Sequence, residues 1–224
     1  MADIIQAMGE VNQLSPRAFG EGRFIDTKLS RRGELVTIDF YTEMMLEGRG
    51  YQVKAGTISV PLVGDVDLTD AAAEFCVDAP QGTAVLPVYL NISINLGTGT
   101  LHEYALKTVD TASTAGTVYV PLLLLGDTDG ASAASNGGAT ARVQAAGAVM
   151  VTAETATTTR RLWSASNELA VAAGHEVTTH NYQPRTPHVI ANNACCYCQI
   201  AAATTGPSYF ASLDFLQLLW TSVS

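Results

Sequence analysis

From Leu86 to Leu96 the apolar residues occupy every second position: Leu86, Val88, Leu90, Ile92, Ile94 and Leu96. Pro87, Tyr89, Asn91, Ser93 and Asn95 stand between them. A period of two sorts side chains onto opposite faces of a strand, so this segment predicts one long strand with a dry and a wetter face. The same reading extends along the chain. Leu35–Tyr41 places Val36, Ile38 and Phe40 on one side, and Tyr51–Val60 is rich in β-branched residues. Glu43–Gly50 reads as a loop or helical turn carrying Met44, Met45 and Leu46. Glu74–Asp78, Leu101–Val109, Thr117–Leu125, Ala141–Ala153, Arg160–Ser164, Leu169–Ala173, Cys195–Ala202 and Leu213–Val223 continue the series.

Turn chemistry punctuates these strands. Ala79-Pro80-Gln81-Gly82 is a turn, and Gly97-Thr98-Gly99 predicts a hairpin that returns Leu101–Val109 beside the long strand. Pro121 marks an edge or a bulge in its strand. Gly64–Asp70 is an acidic loop, and Gly126–Gly138 is polar with no possible core. Many short strands without long helical patterns exclude a βαβ sheet and predict an all-β fold. An antiparallel β-sandwich of jelly-roll type fits the size best. Residues 1–34 are expected to be a short N-terminal arm and residues 35–224 a single sandwich domain. In the arm, Ile4, Ile5, Met8 and Val11 could form the apolar stripe of a short helix that docks on a neighbouring subunit; a frayed terminus is the other reading.

Composition sharpens the expectation of assembly. Of the 224 residues, 47% are hydrophobic and only 15% charged, well below the usual quarter. So little charge suggests a surface covered by another subunit or coated with small residues. Nearly all of the net charge of −9 is carried by residues 55–224, which hold five Lys/Arg against thirteen Asp/Glu, while residues 1–54 hold seven against eight. Such a body repels phosphate, so no direct nucleic-acid partner is expected. No apolar run is long enough to span a bilayer, and MADIIQAMGEV lacks the pattern of a secretory signal. No membrane partner is expected, and synthesis is expected in a cytoplasm.

Motifs for chemistry are sparse. His175 and His180 stand five apart, not the four that places two zinc ligands on one helix face. Cys195-Cys196-Tyr197-Cys198 is a dense thiol cluster, but no second ligand pair accompanies it, so core packing is the favoured reading. Asp127 and Asp129, like Asp65 and Asp67, have carboxylates at i and i+2; a solvated turn is the default and a loop-bound Ca²⁺ the alternative. No nucleophile elbow or phosphate-binding glycine loop is present. The expectation is a non-enzyme with no cofactor.

The stretch Cys76–Asp110, CVDAPQGTAVLPVYLNISINLGTGTLHEYALKTVD, resembles β-rich capsid or capsid-associated proteins of double-stranded DNA bacteriophages, which are built as jelly rolls. The likeness covers about residues 51–125 and lies in a short strand, a Pro/Gly turn, the long strand and its return. It implies a virion location and a self-assembling shell, decoration or vertex subunit, trimeric or larger, that also contacts other virion proteins. The alternative is a carbohydrate-binding sandwich module of a tail or adhesin, with Trp163, Trp220, Tyr182 and Tyr209 as candidate platform residues.

Overall fold

A computed structural model describes residues 8–10, 24–26, 40–67, 73–96, 101–125, 139–143, 150–151, 158–167, 178–203 and 205–220. Its elements in chain order are β1 (Met8–Glu10), β2 (Phe24–Asp26), α1 (Phe40–Leu46), β3 (Gly50–Ala55), β4 (Leu62–Val63), β5 (Phe75–Ala79), β6 (Thr83–Leu96) and β7 (His102–Val109). There follow β8 (Thr117–Tyr119), β9 (Leu122–Leu123), β10 (Thr140–Val143), β11 (Thr159–Asn167), β12 (Thr178–Tyr182), β13 (Ile190–Ala191), β14 (Ala194–Ala202) and β15 (Ser208–Leu219).

Two antiparallel sheets face each other. One runs β11-β7-β14-β5-β10-β8, the other β12-β6-β15-β3-β9, with β13 also on β6 and β4 on β15. The eight strands β3, β5, β6, β7, β11, β12, β14 and β15 pair as nested partners: β3 with β15, β5 with β14, β6 with β12, and β7 with β11. First pairs with last, second with seventh, and so inward. That is one long antiparallel ribbon wrapped into two sheets, the topology of a jelly roll. The all-β sandwich expected from the sequence is therefore the observed fold. Strands from both sides of residues 126–138 interleave in both sheets.

The core lies between the sheets. Tyr51, Val53, Val85, Leu90, Ile92, Ile94, Leu213 and Phe215 come from one side, and Phe75, Val77, Tyr104, Leu106, Cys196, Cys198 and Ile200 from the other. Tyr51 and Phe215 stack with ring centroids 5.8 Å apart. Burying each such side chain is worth about 2–3 kcal/mol.

The long strand is divided in a way that the alternation conceals. Tyr89 pairs with Asp214, but Pro87 pairs with Phe215, so the ladder slips at Val88. Beyond this bulge the phase inverts. Leu90, Ile92 and Ile94 point into the sandwich, whereas Ala84 and Leu86 point outward and Val85 takes the inner face. The outward residues join Leu216 and Leu218 under Met44 of α1.

Helix α1 occupies part of the segment expected to be the strand Leu35–Tyr41; residues 35–39 lie outside the described residues. Seven residues cannot sustain a helix alone. Burial of Met44 and a Schellman end hold it: Arg49 N–H donates to Met44 O and Gly48 N–H to Met45 O, with Gly48 at φ +70°.

Other boundaries also differ from the sequence reading. The strand expected to reach Val60 stops at Ala55, because Thr57 and Val60 close a turn through reciprocal backbone bonds of 3.0 and 3.2 Å. Thr117–Leu125 is two strands: β8 joins one sheet, β9 the other, and Pro121 lies between them. β7 does not return beside β6 but sits in the opposite sheet, where Tyr104 and Leu106 reach the core. β10 spans Thr140–Val143, at the start of the expected Ala141–Ala153, of which 144–149, 152 and 153 lie outside the described residues, and β15 begins at Ser208, before the expected Leu213. Leu169–Ala173 lies outside the described residues. Near the N-terminus Met8 lies in β1, which pairs with β2, and not on a helix. Ile4, Ile5 and Val11 fall outside the described residues.

Candidate functional site

One flank of the sandwich carries apolar side chains in the open. The six-stranded sheet ends on this side with β8, and the other sheet with β9. Along them Val118 is 64% exposed, Val120 52%, Leu122 47% and Leu125 46%. Ile58, Val60 and Val63 are exposed too, but they lie away from β9, in the turn after β3 and in β4, which pairs with Ser208 and Tyr209 whereas β9 pairs with Tyr51 and Gln52. The chain arrives here because Val120-Pro121 carries it from one sheet edge to the other, leaving two short edge strands side by side. Edge strands present unpaired backbone groups, and soluble proteins commonly blunt them with charge. The segment 117–125 bears no charged residue.

A second concentration of chemistry is buried on the outer face of the six-stranded sheet. β5 and β14 pair with Cys195 opposite Asp78 and Tyr197 opposite Cys76. This register brings one ligand-type atom each of Cys76, Asp78 and Cys195 within 4.8 Å of one another. The Asp78 carboxylate accepts the Ser113 N–H at 2.8 Å and the Ser113 hydroxyl at 2.5 Å, fastening that loop to the sheet. Arg142 Nε lies 3.9 Å from the same carboxylate. Ala73, Val109, Met150, Val151 and Tyr197 pack around the thiols. Burial, reinforced by Cys76 and Asp78, pushes the Cys195 thiol well up.

Between the sheets a third group is aromatic and titratable. His102 Nδ1 is 3.1 Å from the Tyr104 hydroxyl, and the Tyr104 and His180 rings are 4.5 Å apart. Burial, and secondarily His102, pull the His180 imidazole down. Its Nε2 is buried and has no hydrogen-bond partner among the described residues, as is true of the hydroxyls of Tyr182 and Tyr209. Burial pushes the Tyr182 phenol up to about 12.

The sequence candidates distribute as follows. Asp127, Asp129 and His175 lie outside the described residues. Cys196 and Cys198 are core residues, as expected. Cys195 turns to the other face and meets Cys76, a pairing invisible in the sequence because it depends on strand order. Tyr182 and Tyr209 are buried in the core and offer no platform for a sugar, and Trp163 and Trp220 are packed against apolar clusters. The depressions at Val66–Leu101 and at His188–Trp220 hold only about 120 and 210 Å³. No described helix is long and apolar enough to cross a membrane. Comparison with protein-family models, with curated proteins and with solved structures gives no match to this chain.

Proposed function

We propose that this chain is a structural subunit that assembles with copies of itself into a larger symmetric body, a virion shell or a decoration upon one. The observation that carries the reading is the uncharged apolar flank of β8 and β9, with Val118, Val120, Leu122 and Leu125 exposed. Apolar edge strands are a hazard in a lone monomer and an asset in a subunit whose neighbour covers them. The low charge, 15% of residues, and the jelly-roll topology support the same reading. Repeated copies related by symmetry would bury this flank without open-ended pairing. The arm residues Ile4, Ile5, Met8 and Val11 would add a second contact.

Light scattering after size exclusion tests it. The full chain is expected to run as a stable oligomer or larger particle. Val118→Lys with Leu122→Lys is expected to shift it toward monomer while the melting temperature changes little. A wild-type protein that stays monomeric at high concentration overturns the proposal, and so does a double variant with unchanged mass.

The outer face of the five-stranded path favours a second reading, carbohydrate binding. Tyr89 O–H and Asn91 Nδ2 both donate to Asn181 Oδ1, at 3.1 and 2.9 Å, and Ser93 O–H donates to Asn91 Oδ1 at 3.0 Å. Ser93 is itself buried, but the neutral amides and hydroxyl of Asn91, Asn181 and Tyr89 suit a sugar edge. A glycan array probed with the assembled protein separates the readings: hits lost in Asn181→Ala favour carbohydrate binding, and an empty array removes it.

A further inference from the structure

We propose that Cys76, Asp78 and Cys195 form a binding site for one zinc ion, buried on the outer face of the six-stranded sheet. The inference stands on this cluster alone and is independent of the assembly reading.

The donor set matches the ion. Two thiols and a carboxylate suit zinc, which takes sulfur and oxygen in a tetrahedron, far better than Mg²⁺ or Ca²⁺, which need many oxygens. Zn–S bonds of about 2.3 Å and Zn–O bonds of about 2.0 Å place tetrahedral ligand atoms roughly 3.5–3.8 Å apart. The three atoms already stand within 4.8 Å of one another. Both thiols sit on strands whose register is fixed by neighbours on both sides, so any adjustment to the ion falls to side-chain rotation at Cys76 and Cys195. A fourth position is left to water.

Charge also balances. The Asp78 carboxylate and the Arg142 guanidinium offset one another at 3.9 Å. A divalent ion that displaces one proton from each thiol adds two positive charges and creates two negative ones. Two protons leave to solvent, no electron moves, and the buried cluster keeps its net charge. Ser113 holds the carboxylate by two hydrogen bonds and so fixes the orientation of the oxygen ligand, the usual task of a group behind a metal ligand. The surrounding Ala73, Val109, Met150 and Val151 exclude bulk water and slow the ion's release. The covering loop is tied down by Ser113 and by the Thr114 N–H to Met150 O bond of 3.0 Å. Loading during folding, before that loop closes, is the direct route.

Cobalt(II) is the probe. It is added to the full chain during refolding, and separately to the folded protein, with zinc competition afterwards. The expected result is one cobalt per chain and a thiolate-to-cobalt absorption band in the near ultraviolet, abolished by zinc. Cys76→Ser and Cys195→Ser each lose the band, whereas Cys198→Ala, in the core on the opposite face, keeps it. Asp78→Asn weakens binding by on the order of 10–100-fold. Zinc raises the melting temperature of the wild-type chain and a chelator reverses the rise. If wild-type protein shows neither band nor thermal shift by either route, the site does not exist. A band of undiminished strength in folded Cys76→Ser or Cys195→Ser overturns the assignment equally.

Discussion

The backbone at Gly206 runs so close to Gly64 that a Cβ built on Gly206 would collide with the Gly64 carbonyl oxygen. The contact sits where the chain enters β15, and Gly64 N–H donates to Pro207 O at 2.9 Å beside it. Gly206→Ala must push two backbones apart, since no flexible side chain can give way. The expected destabilisation is about 3 kcal/mol, the upper range for overpacking, measured by urea unfolding. Unchanged stability would show that the two segments are not held together in solution.

Asn192 and Asn193 both adopt left-handed backbone, at φ 58° and 66°. They turn the chain from β13 into β14, and Asn193 N–H donates to Ala79 O at 2.8 Å. Asparagine tolerates this region; alanine does not. Asn192→Ala and Asn193→Ala should each lose about 1 kcal/mol, and Asn193→Gly should lose less than Asn193→Ala. Thermal unfolding of the three variants decides it.

Glu74 is fully buried, with its oxygens accepting the Ile200 N–H at 2.9 Å and the Asp65 N–H at 3.3 Å. Burial outweighs these bonds and pushes its carboxyl well above the ordinary 4.5. The folded state therefore holds a proton that the unfolded chain has released, and between the two values stability falls as pH rises. The contribution is complete below pH 4.5 and declines above it. Glu74→Gln should flatten this decline in unfolding measured across pH. An identical slope in the variant would assign the decline to another group.

His180 acts in the opposite direction. Its folded value lies below 6.5, so the unfolded chain binds the proton first. Stability from this residue is complete above pH 6.5 and is lost as pH falls toward the lowered folded value. His180→Phe keeps an aromatic ring against Tyr104 and should move the acid-unfolding midpoint downward. A midpoint that rises or stays put would show that His180 is not the acid-sensitive group.

The strands and their faces were legible wherever one local pattern ruled. Leu90, Ile92 and Ile94 line the core as their alternation says, and so do Cys196 and Cys198. Leu86 defeats the pattern because a bulge at Val88 inverts the phase, and a bulge needs a partner strand to reveal it. Gly97-Thr98-Gly99 suggested a hairpin, yet β6 and β7 lie in different sheets, because a turn signal does not state which sheet the next strand joins. The Cys76–Cys195 meeting was out of reach for the same reason: it follows from the pairing of β5 with β14. The exposed flank was visible only as composition, a shortage of charge whose location the sequence left open.

The nesting that pairs β3 with β15 has a consequence for how the chain matures. β15 stands in the middle of its sheet, between β6 and β3, although it follows every other described strand in the sequence. A nascent chain that ends before residue 208 therefore has two open edges facing an empty slot, and its sheet cannot close by local hairpins. Completion waits for β15 to thread into place. Until β15 emerges and inserts, the open edges of β6 and β3 leave the growing chain exposed to wrong strand partners.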